Sequence, residues 1–184
     1  MSAPGPARAV AARAGRWVVA DPGARAGFVV RKLGVIRVRG SFAVAAGEAV
    51  LDGDGVPVAA SATLDAASFA TGNPRRDRDV VGRRFLDADA FRQLRFVAER
   101  IEPAPDGAWL VRGHLAVRDR RAPLDLTVTR EPATAAGEAV TITARGVLDR
   151  HATGIRAPRA LIGRWLGIEV TAVLTRAPVA PPPA

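Results

Sequence analysis

The sequence contains no cysteine and no tyrosine, and aromatic residues make up only 5% of it. Without thiols it can form neither disulfides nor thiolate metal sites, so the fold must stand on burial and hydrogen bonds. Lys32 is the only lysine, and the formal net charge of +9 rests almost wholly on arginine. Such a balance attracts phosphates, anionic lipid or nucleic acid weakly and, taken alone, speaks only to solubility. Two histidines, His114 and His151, and four serines leave little material for metal or nucleophile chemistry. No G-x-S-x-G elbow, His-rich metal spacing or Gly-rich phosphate loop occurs. No stretch approaches the ~20 apolar residues of a membrane span. The N-terminal MSAPGPARAVAARAGR lacks the apolar run of an export signal, so the expected compartment is the cytoplasm.

What the chain does have is alternation. Its 184 residues, 48% hydrophobic and rich in Ala and Val, suit one domain with a sizeable core. Residues 1–15 lack periodicity and read as a flexible tail; 177–184 are Pro-rich and cannot extend a sheet, because Pro has no backbone donor. That leaves 16–176 as the domain. A first strand begins at Trp17 and turns at Asp21-Pro22-Gly23. Farther on, Ile36, Val38, Gly40, Phe42 and Val44 fall on one face against Arg37, Arg39 and Ser41, a strand with one wet side. Gly34 and Gly40 permit a bend or a bulge. A turn-rich piece from Gly47 to Pro57 leads to Val58, Ala60, Ala62 and Leu64 on one face. The same period returns around Leu94, Leu115, Leu126, Ile142 and Ile168, interrupted by turns at 103–107 and 131–137 and an irregular loop at 149–163. About eight antiparallel strands so spaced predict a barrel or a sandwich.

One connection is long. Between Asp65 and Phe96 the chain passes a turn signal at Thr71-Gly72-Asn73-Pro74, the charged run RRDRD and an apolar stop at Phe85-Leu86. Long connections in compact domains tend to be lids or binding loops. Pro74 would start a short helical turn over 75–82, the best helical candidate in the chain. The strand interiors carry many small residues, Ala60, Ala62, Ala98, Gly113, Ala144 and Ala172 among them. Either they pack closely against one another, or they line a lumen kept open for a ligand.

Several pieces in order resemble the YceI-like family of lipocalin-like, lipid-binding β-barrels, from Trp17 to about Leu174. Trp17 and Asp21 resemble its W-x-x-D, FVVRKLGV at 28–35 its F-S-V-R-H-L-G-V, and Gly40-x-Phe42 its G-x-F. Ser68-x-x-Thr71-Gly72-Asn73 followed by Arg76-Asp77 is similar to its S-x-x-T-G-N and R-D. Phe85-Leu86-Asp87 resembles F-F-D, and Phe91-x-x-Leu94-x-Phe96 resembles Y-P-x-I-x-F. Gly113-x-Leu115, the run from Val117 to Leu124, and Arg150 with Gly154-Ile155 match later motifs. The chain departs from the pattern at Asp79 (a family histidine), Phe91-Arg92 (Tyr-Pro) and Thr153 (an aromatic), and it lacks an early H-S pair.

The resemblance implies an all-β, eight-stranded antiparallel barrel with one long, partly helical connection. It also implies a non-enzymatic role: binding, transport or storage of an isoprenoid-like or other amphiphilic lipid in the lumen. No cofactor is expected beyond that lipid, a polyisoprenoid among the candidates. Each enclosed methylene is worth roughly 0.8 kcal/mol before association costs. The expected apolar wall is Phe28, Ile36, Val38, Phe42, Leu64, Phe85, Phe96, Leu115, Leu126, Ile142 and Ile168; plain core packing is the alternative for each. Arg75, Arg76, Arg83 and Arg84 are candidates to hold an anionic headgroup, against a local ion-pair network with Asp77, Asp79 and Asp87. Two rival functions stay open, besides a purely structural or stress-associated role with a filled interior. One is an enzyme using carboxylates such as Asp87 and Asp89 at the barrel mouth. The other is a basic surface built from Arg31, Arg37, Arg39 and the 75–84 group for nucleic acid or another anionic partner. Specific nucleic-acid binding is not expected, since the wet faces lack stacking aromatics. A homodimer is left open, and membrane contact is expected to be transient at most.

Overall fold

Strand alternation builds the molecule. The computed structural model describes residues 13–131, 138–155 and 162–178. Nine strands run in chain order: β1 Gly15–Val19, β2 Arg25–Lys32, β3 Ile36–Leu51, β4 Pro57–Asp65, β5 Gln93–Pro103, β6 Trp109–Val117, β7 Arg120–Arg130, β8 Ala139–Asp149 and β9 Ile162–Arg176. The helix expected after Pro74 is present as α1, Pro74–Val81. The turn expected at 131–137 lies almost wholly outside the described residues, as do the middle of the 149–163 loop and most of both tails. Among the described residues no helix is long and apolar enough to cross a membrane.

Every pairing is antiparallel, and the sheet closes on itself. The order β3-β2-β9-β8-β7-β6-β5-β4 is completed by pairing of β4 with β3, giving an eight-stranded barrel without a free edge. The ninth strand does not widen the ring. β1 pairs with β3 at residues 48–51 and with β9 at 174–176, whereas β2 pairs with the same two neighbours at 36–43 and 162–171. β1 and β2 are therefore two lengths of one stave, broken at Asp21-Pro22-Gly23, where Asp21 Oδ1 accepts from Gly23 N at 2.7 Å.

Two differences from the sequence reading have the same cause. Residues 47–51, expected in a turn, continue β3, because a bulge between Val44 and Ala46 shifts the inward phase from even to odd residues. Val44, Gly47, Ala49 and Leu51 consequently all face inward. A second irregularity beside Pro57 turns Val58 outward to solvent, where period 2 alone had set it inside. Between β2 and β3, the suspected bend at Gly34 is a full hairpin turn. Leu33 and Gly34 both have positive φ, and Val35 N donates to Lys32 O at 3.3 Å.

The outward faces carry polar and charged groups in cross-strand pairs, such as Arg145 with Glu169 at 2.9 Å and the His114 ring with Glu99 at 2.8 Å. Inside, a main apolar cluster gathers Leu94, Phe96, Val111, Leu115, Leu124 and Leu148. A smaller one around Trp17, Val140 and Leu174 closes the end where β1 sits, with Trp17 only 1% exposed.

Candidate functional site

The barrel interior is not filled by its own side chains. A partly enclosed cavity of about 430 Å³ runs along the axis, from Trp17, Leu51 and Trp109 at one end to Lys32, Thr71, Ile155 and Ile162 at the other. That volume lies within the range of about 300–1,000 Å³ typical of small-molecule sites. Small residues create the space: Ala62, Ala144 and Ala172 line the wall at positions where a Leu or Phe would fill it.

Ten of the eleven expected wall residues do face the cavity. Phe28 comes from β2, Val38 and Phe42 from β3, Leu64 from β4, Phe96 from β5 and Leu115 from β6. Leu126, Ile142 and Ile168 continue the wall through β7, β8 and β9, and Phe85 enters from the long connection. Ile36 is the exception. It shares the inward phase of Val38 and Phe42 but pairs with Lys32 at the very end of the hairpin, beyond the wall, and is 51% exposed. Sequence reading missed Phe69 and Val80, which also line the cavity. Phe69 could have been noticed within the SFATGN run, but only the fold shows its ring stacked 5.5 Å from that of Phe28 and meeting that of Phe42 edge-on at 5.3 Å.

The connection between β4 and β5 lies over one barrel end and is tied down by the residues of its motif. Ser68 Oγ accepts from Ala43 N at 2.7 Å, and residues 41 and 70 exchange backbone bonds of 2.9 and 3.0 Å. Asn73 caps α1 by accepting from Arg76 N at 3.1 Å. The Asp77 carboxylate accepts from Thr71 N at 3.0 Å and from Thr71 Oγ1, while Arg76 Nε donates to Thr71 Oγ1 at 2.7 Å. Desolvation pushes the Asp77 carboxyl up, but the two Thr71 bonds, the Arg76 charge and the Asn73 N–H outweigh it and hold it below the ordinary carboxylate range. Farther along, Arg118 Nη1 donates to Phe85 O at 3.2 Å, fastening the connection to the turn between β6 and β7.

The four arginines of this connection divide. Arg76 lines the cavity; Arg75, Arg83 and Arg84 do not. The expected ion-pair network does not form either. Among the described residues no salt bridge joins these arginines to Asp77, Asp79 or Asp87. Arg84 instead lies over the Phe85 ring, 5.7 Å from its centroid. Interspersed signs in sequence did not become pairs because α1 is short and exposed, and Asp77 spends its oxygens on Thr71.

Two other cations reach the same end of the cavity, Lys32 and Arg150. Arg150 is buried, and its guanidinium donates to three backbone carbonyls: Gly163 O at 3.2 Å, Ile155 O at 2.8 Å and Ile162 O at 3.3 Å. Burial lowers its pKa against the opposing pull of Asp149, which leaves it charged. No carboxylate lines this end; the one acidic lining residue, Glu48, sits toward Trp17 and is paired with Arg16 at 2.6 Å. Asp87 and Asp89, the acids considered for catalysis, are not in the cavity wall. Among the described residues no group of three or more His, Asp or Glu side chains is placed to hold a metal. The arrangement is chemically simple: a long apolar hollow with Lys32, Arg76 and Arg150 at one end and Arg130 at the other.

A family model described as the YceI-like domain matches residues 17–174. No curated protein sequence matches the chain. Solved structures share the fold. One is BcnA of Burkholderia cenocepacia, at 23% identity and a TM-score of 0.69 over 82% of this chain and 95% of that one. A polyisoprenoid-binding domain from Saccharophagus degradans, implicated in plant cell wall breakdown, superimposes at 12% identity with a TM-score of 0.67, covering 88% and 98% of the two chains. The Campylobacter jejuni YCEI protein does so at 16% identity and 0.67, over 78% and 88%.

Proposed function

The chain belongs to the YceI-like domain family, and from that premise we propose that it binds and carries an isoprenoid-like amphiphilic lipid without catalysing a reaction. The single observation that carries the reading is the polarity of the cavity: an apolar wall along its length, with three cations, Lys32, Arg76 and Arg150, gathered at one end against Arg130 alone at the other. An apolar tail gains from leaving water along the whole wall, at roughly 0.8 kcal/mol per methylene. An anionic headgroup gains only where guanidinium and ammonium groups stand. Arg76 and Lys32 are the groups with donors to spare, since Arg150 spends its own on carbonyls. The polyisoprenoid-binding domain of S. degradans, which shares the fold, supports the ligand class.

The test is native mass spectrometry of protein purified from its own host. A co-purifying lipophile with a phosphate or carboxylate headgroup is the expected result, and Lys32→Gln should weaken its retention more than that of the matching uncharged alcohol. Repeated recovery of empty protein, together with failure to take up any long-chain amphiphile in vitro, would overturn the reading.

A further inference from the structure

The hairpin joining β2 and β3 ends in apolar residues that the fold does not use. Leu33 is 53% and Val35 77% exposed, and Ile36 beside them is exposed as well. Leu33 also has a φ of 51°, a left-handed conformation in which glycine or asparagine is at ease and leucine is not. Folding therefore gains nothing from a leucine there, and solvation opposes it.

The surroundings carry one sign of charge. Arg31, Lys32, Arg37 and Arg39 flank the tip, all exposed, and among the described residues none forms a salt bridge. From Pro22 to Gly47 the chain has no acidic residue. On β9, beside β2, Trp165 lies exposed on the outer wall with the guanidinium of Arg164, itself ion-paired with Asp149, 4.8 Å from its ring centroid, an amphipathic arrangement suited to a lipid–water boundary. An apolar point ringed by unpaired cations fits a surface that is anionic outside and apolar within. A nucleic acid would meet the cations but offer the exposed Leu and Val nothing.

We propose that the hairpin end from Arg31 to Arg39 docks on an anionic lipid bilayer, with Leu33, Val35 and Ile36 entering the headgroup layer and the flanking cations meeting the surface charge. Docking turns toward the membrane the barrel end at which Lys32, Arg76 and Arg150 line the cavity. The proposal takes its purpose from the carrier reading, but the docking itself is measured without cargo.

The experiment is co-sedimentation of the full chain with vesicles of phosphatidylcholine alone and of phosphatidylcholine mixed with phosphatidylglycerol. The variants are Leu33→Asn with Val35→Thr, which suits the turn at least as well as the natural pair, and Arg31→Gln with Arg37→Gln. Binding should require phosphatidylglycerol and weaken with salt. Each double variant should lower it on the order of tenfold, while both keep uptake of a soluble apolar dye. Wild-type protein that ignores phosphatidylglycerol vesicles would overturn the proposal. So would a Leu33→Asn, Val35→Thr variant that binds them undiminished, or a single-stranded oligonucleotide that displaces the vesicles and binds that variant as tightly as wild type. Failure of dye uptake in every form would count against the carrier reading and leave the docking result standing.

Discussion

The ring of Phe28 lies across Gly40, its cross-strand partner, so closely that a Cβ at residue 40 would stand 2.4 Å from Phe28 Cζ. The same Cβ would meet Thr71 Cγ2 at 2.7 Å. This glycine is thus the space that seats both the aromatic trio and the overlying connection. Gly40→Ala should destabilise the protein by roughly 1–3 kcal/mol, as overpacking does, read from urea unfolding midpoints. In a Phe28→Ala background the cost should shrink to the part owed to Thr71. Additive effects in that cycle would show the ring contact is not the cause.

Filling the hollow should abolish uptake while leaving the barrel folded. Ala62 faces the cavity and pairs with Phe96 across the strands, so Ala62→Trp places an indole in the lumen. Binding of a soluble apolar dye should weaken by more than about tenfold, at least 1.4 kcal/mol, with the far-ultraviolet dichroism retained. Ile36→Arg, beyond the wall, should leave dye binding unchanged. The opposite pair of results would mean the wall has been drawn in the wrong place.

Trp17 closes the other barrel end, with its Nε1 donating to Arg13 O at 3.0 Å. Trp17→Ala should cost about 3–5 kcal/mol, and Trp17→Phe less, because one ring's packing survives while the bond and part of the buried volume are lost. A shift in denaturation midpoint smaller than that of an exposed substitution such as Val58→Ala would contradict this assignment.

Acid should loosen the barrel end where β8 passes to β9. Arg164 Nη2 donates to Asp149 Oδ2 at 2.6 Å, and that bond, with the backbone donor of His151 and the two nearby charges, draws the Asp149 carboxyl from an ordinary 3.8 to about 2. A depressed carboxyl stabilises fully above its unfolded pKa and loses that contribution as pH falls through the folded one. Asp77 shifts in the same direction. Urea midpoints of wild type and Asp149→Asn should therefore differ above 3.8 and converge as pH falls to about 2. Parallel curves through that range would remove Asp149 as a contributor.

Much of the barrel was legible because period 2 survives wherever one strand face is wet. Leu115, Leu126, Ile142 and Ile168 could be placed inward from their own neighbours alone. Pro74 after Asn73 gave the start of α1 for local reasons too, a fixed φ following a capping side chain. What alternation cannot supply is phase after a bulge, or how far a wall extends. Val58 and Ile36 were misplaced for those two reasons, one turned outward by an irregularity and the other carried past the end of the cavity. Lys32 and Arg150 were missed as cavity residues because a cation facing an apolar lumen looks, in sequence, like any residue of a strand end or loop. Of the ion pairs expected among Arg75, Arg76, Arg83 and Arg84 and the aspartates Asp77, Asp79 and Asp87, those to Asp77 gave way to Thr71, six residues away, which holds its carboxylate.

The divided stave has a consequence for how the protein comes to exist. Trp17, Val18 and Val19 are stitched to Leu174, Thr175 and Arg176, so nearly the first and nearly the last described residues share one seam. A chain whose β9 has not yet been made cannot form that seam, and until it forms β3 and β9 present bare edges to whatever is nearby. Closure of this container must therefore wait until β9 has been made, and is slow for want of local contacts. Any cargo present at that moment could be enclosed rather than admitted afterwards.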